Sequence, residues 1–240
     1  MVKYAVVNGA DRGFGLSITE KLLERGYHVI AGKFLAEYNL LEDLSGRFPG
    51  RLAIVYMDTC NIKSLENAAN AARNITGRID LIVSNAALMG NGKGQDIRSI
   101  LDTEHMLRTY NTNSVGALRF LSAFLPLMEK GDKRICVVSS EISSLSLLRR
   151  TEYYSYASSK SALNMGVRLA FNELRPKGYT FRLYHPGWMK RQAPDGSPMN
   201  TGADFPAEFS AGFAIDFFLN DREDEDRLVL IDYTGLEWPF

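Results

Sequence analysis

The chain has 240 residues, enough for one large domain with a sizeable core. Its 28 basic side chains match 28 acidic ones, so no basic face is set aside for nucleic acid or an anionic membrane surface. No apolar stretch has the length of a signal peptide or a membrane span, and a cytoplasmic protein is the expectation.

The predicted elements alternate along the chain. A strand in "KYAVVN" leads through the turn "VVNGADRGFG" into a helix in "GLSITEKLLERG" that ends at Gly26. Strands follow in "YHVIAG" and "RLAIVYM", then a helix in "IKSLENAANAARNI" and a fourth strand in "IDLIVSN". A long helical pattern, "IRSILDTEHMLRTYNTNSVGALRFLSAFLPLMEK", ends at Gly131 and precedes a strand in "RICVVSS". The helix in "YASSKSALNMGVRLAFNELRP" closes at Pro176, and "YTFRLYH" and "RLVLID" supply the last two strands. The strand runs are continuously apolar rather than alternating, as in strands covered on both faces. The fold expected is α/β, a doubly wound parallel sheet of Rossmann type. It has about seven strands, helices on both faces, and one domain over residues 1–240. The acidic run "NDREDED" reads as a solvated turn before the final strand. Cys60 and Cys136 read as a buried, reduced pair. His28, His105 and His185 have no metal-ligand spacing, so no metal is expected.

Gly9, Gly13 and Gly15 form G-x-x-x-G-x-G between the first strand and the first helix. Glycines there let backbone approach a ligand and aim helix N–H groups at a pyrophosphate. The position predicts a dinucleotide. At the end of the second strand, Lys33 stands where an acid would hold the ribose hydroxyls of NAD, and Arg12 lies in the glycine turn. Two cations and no acid favour NADP(H) over NAD(H).

"YYSYASSK", residues 153–160, offers three tyrosines to one lysine. On a helix, Tyr156 lies one turn before Lys160 on the same face, and Tyr154 points away. Tyr153 returns to the lysine's face two turns off, about 10 Å along the axis.

These motifs, in this order, resemble the short-chain dehydrogenase/reductase family over nearly the whole chain. The glycine turn is similar to the family's T-G-x-x-x-G-x-G, with Asn8 in place of threonine. "MDTCN" resembles the segment after strand three, which makes Asp58 a partner for the adenine amino group. "SNAA" resembles N-N-A-G, with Ser84 and Ala87 departing and Asn85 retained. Asn113 matches the asparagine that interrupts the fourth helix. Ser140 matches the catalytic serine, with Ser139 and Ser143 as neighbours. "YASSK" completes Y-x-x-x-K. "HPGWMKR" resembles the P-G segment beside the nicotinamide, with Arg191 replacing threonine. Tyr153 and Lys160 instead match the spacing of bacterial enoyl reductases. That branch usually lacks this glycine turn, so Tyr156 is taken as the acid/base.

The resemblance implies a catalytic set of Asn113, Ser140, Tyr156 and Lys160. It places the cofactor against Gly9, Arg12, Gly13, Phe14, Gly15, Lys33, Asp58, Asn85, Tyr156, Lys160 and Met189. Hydride would pass between nicotinamide and a carbonyl or alcohol carbon while Tyr156 gives or takes the proton. The lysine ammonium and the oxidised cofactor would lower the tyrosine's ordinary pKa near 10. Residues 187–210 have loop composition and read as a substrate lid. Trp188, Met189, Leu145 and Leu148 are apolar pocket candidates, and Lys190, Arg191, Arg149 and Arg150 are candidates for an anionic substrate. A cofactor-binding sensor without turnover is the alternative on the same fold. A homodimer or homotetramer is expected, through "LRFLSAFLPLM" and the aromatic end "DYTGLEWPF".

Overall fold

Side chains alternate between two buried layers along every central strand, which explains the continuous apolar runs. In β1 (Tyr4–Val7), Val6 joins one core while Ala5 and Val7 join the other. The computed structural model describes residues 1–89, 97–98, 101–191, 193–195, 197–200 and 202–240.

The further strands are β2 (His28–Lys33), β3 (Leu52–Tyr56), β4 (Leu81–Ser84), β5 (Arg134–Val138), β6 (Thr180–His185), β7 (Leu230–Asp232) and β8 (Glu237–Trp238). Their order is β3-β2-β1-β4-β5-β6-β7-β8, all parallel except the antiparallel β7–β8 pair. The eighth strand, two residues long, is one more than the seven expected.

Helices α1 (Gly13–Glu24), α2 (Leu40–Arg47) and α7 (Ala207–Leu219) cover one face. The other face is covered by α3 (Ile62–Ile75), α5 (Gly116–Met128) and α6 (Tyr154–Leu174). A further helix, α4 (Thr103–Tyr110), packs on α6. The sequence reading missed α2 and α7. The eight residues of α2 bury only Leu41 and Leu44, and α7 is apolar almost all round, so neither shows a clean stripe.

The long fourth helical pattern is broken. It starts at Thr103 rather than residue 97, and a π-turn at Asn111–Val115 separates α4 from α5. Ser99 and Ile100, within that pattern, lie outside the described residues. At the predicted ends, Gly26 has φ 86° after α1, whereas α6 stops at Leu174 and Pro176 sits in a single 3-10 turn.

Two expectations are corrected here. The acidic run is more than a solvated turn. Glu225 holds the fully buried Arg182 of β6 with both carboxylate oxygens, and Asp221 accepts from Arg134 of β5 at 2.7 Å. Two buried guanidiniums need these carboxylates, because an unpaired internal charge is costly. The cysteines are not a buried pair either: Cys136 is buried, and Cys60 is exposed beside the Thr112 hydroxyl.

The loops leaving β1, β4 and β5 emerge on one edge, since Val7 pairs with Val83 and Ser84 with Val137. The strand order reverses between β1 and β4, which opens a crevice at that edge.

Candidate active site

Three glycines shape the floor of the crevice by different means. A β-carbon on Gly9 (φ 58°) would stand 2.8 Å from the Ala86 Cα, and one on Gly15 would stand 2.1 Å from the Gly9 carbonyl oxygen. Both are required by close packing. Gly13 (φ 55°) meets nothing within 4 Å, so backbone conformation selects glycine there and the space in front stays open. An open cradle at the N-terminus of the twelve-residue α1 suits an approaching pyrophosphate.

Asn8 explains its own departure from the expected threonine. Its buried carboxamide oxygen accepts from the backbone N–H groups of Asn85 (2.6 Å) and Ala86 (2.7 Å). Asn85 returns the tie by donating to the Gly9 carbonyl at 2.8 Å. Asn85 therefore holds the glycine turn with its side chain. Ala87 has no positive φ, so its β-carbon is accommodated without strain. Phe14 is buried and stacks on Tyr184 at 5.8 Å, facing the core rather than the crevice. Asp58, just beyond β3, accepts from the Cys60 N–H with one carboxylate oxygen.

The two predicted cations already have protein partners. Arg12 donates to the Tyr38 hydroxyl at 2.6 Å, lies 4.9 Å from the centre of that ring, and reaches Met199. Lys33 pairs with Glu42 at 2.7 Å, which lowers the Glu42 pKa. Sequence reasoning missed Asp11, whose carboxylate accepts from the N–H groups of Phe34 (2.6 Å) and Leu35 (2.9 Å). It shapes the loop that follows Lys33.

Asn113 lies in the π-turn, buried. Its carboxamide accepts from Leu88 N–H at 2.7 Å and donates to the Leu88 carbonyl and the Ser159 hydroxyl, each at 2.9 Å. It bolts the loop after β4 to α6.

The tyrosines are separated by the start of α6. Tyr153 precedes the helix in a left-handed conformation, φ 67° and ψ 37°, so the helical spacing that would return it to the lysine's face does not apply. Such a backbone costs roughly 1–3 kcal/mol in a residue with a β-carbon. Tyr156 is inside the helix, and its ring centre lies 5.7 Å from Lys160 Nζ. The buried Lys160 donates to the Val138 carbonyl at 2.9 Å, and burial lowers its pKa to about 8. The Tyr156 phenol is pushed up, first by burial and then by the Glu141 carboxylate. The neighbouring Ser140 hydroxyl and Arg191 oppose the shift. The lowering expected was that of the Lys160 ammonium together with the oxidised cofactor; among the protein's own groups, burial and Glu141 push the phenol the other way.

The neighbouring serines are used elsewhere. Ser139 donates to Asn164 at 2.6 Å, Asn164 donates to Ser143 at 2.7 Å, and Ser143 donates to the Ser140 carbonyl at 2.6 Å. That chain positions Ser140, whose own hydroxyl donates to Glu141 at 2.6 Å. Glu141 and His185 were not anticipated. Glu141 stands next to Ser140 in sequence, but His185 reaches it only because Val138 pairs with Tyr184 in the β5–β6 register.

The segment after β6 is knitted by the Lys190 N–H to the Phe205 carbonyl (2.8 Å) and the Met199 N–H to the Arg191 carbonyl (2.8 Å). Met189 is partly buried against the α1–α7 core, while Trp188 is half exposed. Of the expected lid, Gln192, Gly196 and Thr201 lie outside the described residues. Leu145 projects into solvent, and Arg150 pairs with Glu141 at 3.1 Å.

Comparison with known proteins agrees with this geometry. Residues 3–196 match the profile of the short chain dehydrogenase family. The chain is 34% identical to C-signal of Myxococcus xanthus over 173 residues, covering 72% of this chain and 99% of that one. A carbonyl reductase from Pseudomonas aeruginosa PAO1, solved with NADP, superposes with a TM-score of 0.79 at 26% identity, with both chains fully covered. A short-chain dehydrogenase/reductase from Burkholderia multivorans with bound NADP gives 0.85 at 22% identity, again over both whole chains, a likeness of fold.

Proposed function

The chain belongs to the short-chain dehydrogenase family, and on that premise we propose that it is an NAD(P)-dependent oxidoreductase interconverting a carbonyl compound and an alcohol. The observation that carries the reading is that Ser140 and Lys160 both stand beside Tyr156, with Lys160 tied to Val138 at the end of β5. The NADP bound by the Pseudomonas and Burkholderia relatives supports the cofactor class.

Gly9, Gly13 and Gly15 would admit the pyrophosphate, Asp58 the adenine, and Arg12 and Lys33 a 2′-phosphate, so NADP(H) is favoured. Asn85, Phe14 and Met189 shape the same walls from behind. Bound there, the nicotinamide supplies or accepts the hydride. Tyr156 exchanges the proton with the substrate oxygen, Ser140 holds that oxygen, and Lys160 hydrogen-bonds the cofactor's ribose. Asn113 keeps the π-turn in register, and a water held there feeds protons toward Lys160. Residues 187–210 act as the lid.

The assembly we propose is a dimer or tetramer. Phe120, Leu121, Phe124, Leu127 and Met128 of "LRFLSAFLPLM" are buried within the monomer. Leu107 of α4, Leu118 of α5, and Met165 and Leu169 of α6 remain exposed on the adjoining helices. No described helix is long and apolar enough to cross a membrane. The direct test of function is a screen of ketones, aldehydes and alcohols with NADP(H) and NAD(H), followed by nicotinamide absorbance. Absence of turnover with every class under both cofactors would refute the reading.

A further inference from the structure

The segment between β2 and α2 is fastened to the glycine turn at two adjacent residues. Asp11 takes the backbone N–H groups of Phe34 and Leu35 on one carboxylate oxygen, at 2.6 and 2.9 Å. Next to it, Arg12 Nη1 donates to the Tyr38 hydroxyl at 2.6 Å, and the guanidinium carbon stands 4.9 Å from the centre of the Tyr38 ring. Tyr38 is itself only 5% exposed, so its ring is a fixed support for the guanidinium. The first turn of α2 then reaches Lys33 through Glu42, at 2.7 Å.

The two cations are thus held by partners of different charge. A carboxylate orients Lys33 but offsets its charge, whereas a phenol orients Arg12 and leaves the charge intact. Direction matters for a guanidinium, because its N–H groups lie in one plane as a rigid fork that meets phosphate edge-on. A free arginine would lose rotamer freedom on meeting a phosphate, and a support that already fixes it removes part of that cost. We propose that Tyr38 is a positioning residue for the cofactor's 2′-phosphate: with ring and hydroxyl it holds the Arg12 guanidinium in the orientation that receives the phosphate, and so sets the preference for NADP(H). The inference rests on the NADP(H) reading above and extends it to a further residue.

Tyr38 lies beyond the end of β2 and ahead of α2, so neither the glycine spacing nor the strand end points to it. The acid beside Arg12, Asp11, is engaged by two backbone N–H groups, which offset part of its charge. Arg12 Nη1 also reaches Met199 Sδ at 3.1 Å, an uncharged contact that likewise leaves the cation's charge intact.

Calorimetric titration of the whole chain with adenosine 2′,5′-bisphosphate and with 5′-AMP isolates the 2′-phosphate without substrate or hydride transfer. The unmutated protein should bind the bisphosphate more tightly by about tenfold or better. Tyr38→Phe keeps the ring and removes the hydroxyl. It should weaken bisphosphate binding by about threefold to tenfold, the order of one hydrogen bond, and leave 5′-AMP binding in place. In an Arg12→Ala background the same change should have no further effect, because Tyr38 acts through Arg12. A Tyr38 that only supports the fold would lower the melting temperature and weaken both probes alike in either background, and that result overturns the proposal. A bisphosphate preference that Tyr38→Phe leaves unchanged also overturns it, while the NADP(H) reading stands. Equal binding of the two probes by the unmutated chain refutes the reading and the proposal together.

Discussion

Lys160 Nζ lies 5.7 Å from the centre of the Tyr156 ring and is turned to the Val138 carbonyl, sealed from solvent. Burial brings the lysine to about 8, against about 10.4 for a free lysine. Because the folded pKa is depressed, the cost of holding this charge is fully present below about pH 8. It falls away as the pH rises toward 10.4, where the unfolded chain binds the extra proton. Lys160→Met should therefore melt higher than the unmutated protein at pH 7, with the gap narrowing by pH 10, while turnover is lost. Calorimetry at several pH values checks this. A lower melting temperature for Lys160→Met at pH 7 would contradict it.

Tyr156→Phe removes the phenol proton and leaves the ring in place. Turnover should fall by about 10²–10⁴-fold, with cofactor affinity largely kept. Tyr153→Phe should be much milder, because Tyr153 stands outside the helix that carries Lys160. Steady-state rates of the two variants decide between them, and the reverse ranking would reassign the acid/base.

NADPH should bind about tenfold more tightly than NADH or better, a difference of only ~1.4 kcal/mol. Lys33→Asp should narrow or reverse the preference with little change in maximal rate, since the contact is equal in ground and transition states. The Lys33–Glu42 pair adds a second test. Glu42→Gln releases the lysine from a competing carboxylate and should raise NADPH affinity more than NADH affinity. Fluorescence titration measures all three proteins, and equal or tighter NADH binding by the unmutated chain would refute the assignment.

A dimer or tetramer should be found by light scattering at micromolar concentration. Leu169→Glu and Met165→Glu, on the exposed face of α6, should shift the mass toward the monomer. A monomeric mass for the unmutated chain excludes this assembly.

One thiol should react quickly with a maleimide in the native protein, and a second only after unfolding. Cys60 is exposed, whereas burial raises the Cys136 thiol to about 12. Mass spectrometry of the labelled native chain checks the site, and rapid native labelling at Cys136 would contradict the structure.

Local pattern determined the strand–helix alternation, the glycine turn and the Tyr156–Lys160 spacing, because each is a relation between residues near in sequence. Continuous apolar runs imply strands buried on both faces wherever they occur, and Val6 and Val7 in opposite cores show why. The elements that stayed hidden, α2 and α7, lack a stripe that local periodicity can detect. What only the tertiary structure decided is which distant groups meet. Glu225 under Arg182, Glu42 on Lys33, and Asn8 against the Asn85 loop each join separate elements. Another such effect is on Tyr156. Spacing to a lysine, with an oxidised cofactor, suggested a lowered pKa; the protein's own burial and Glu141 act to raise it, and Glu141 is held by a histidine that arrives through strand register. Charge and desolvation act through space, so a group's proton affinity is a property of the fold around it rather than of its neighbours along the chain.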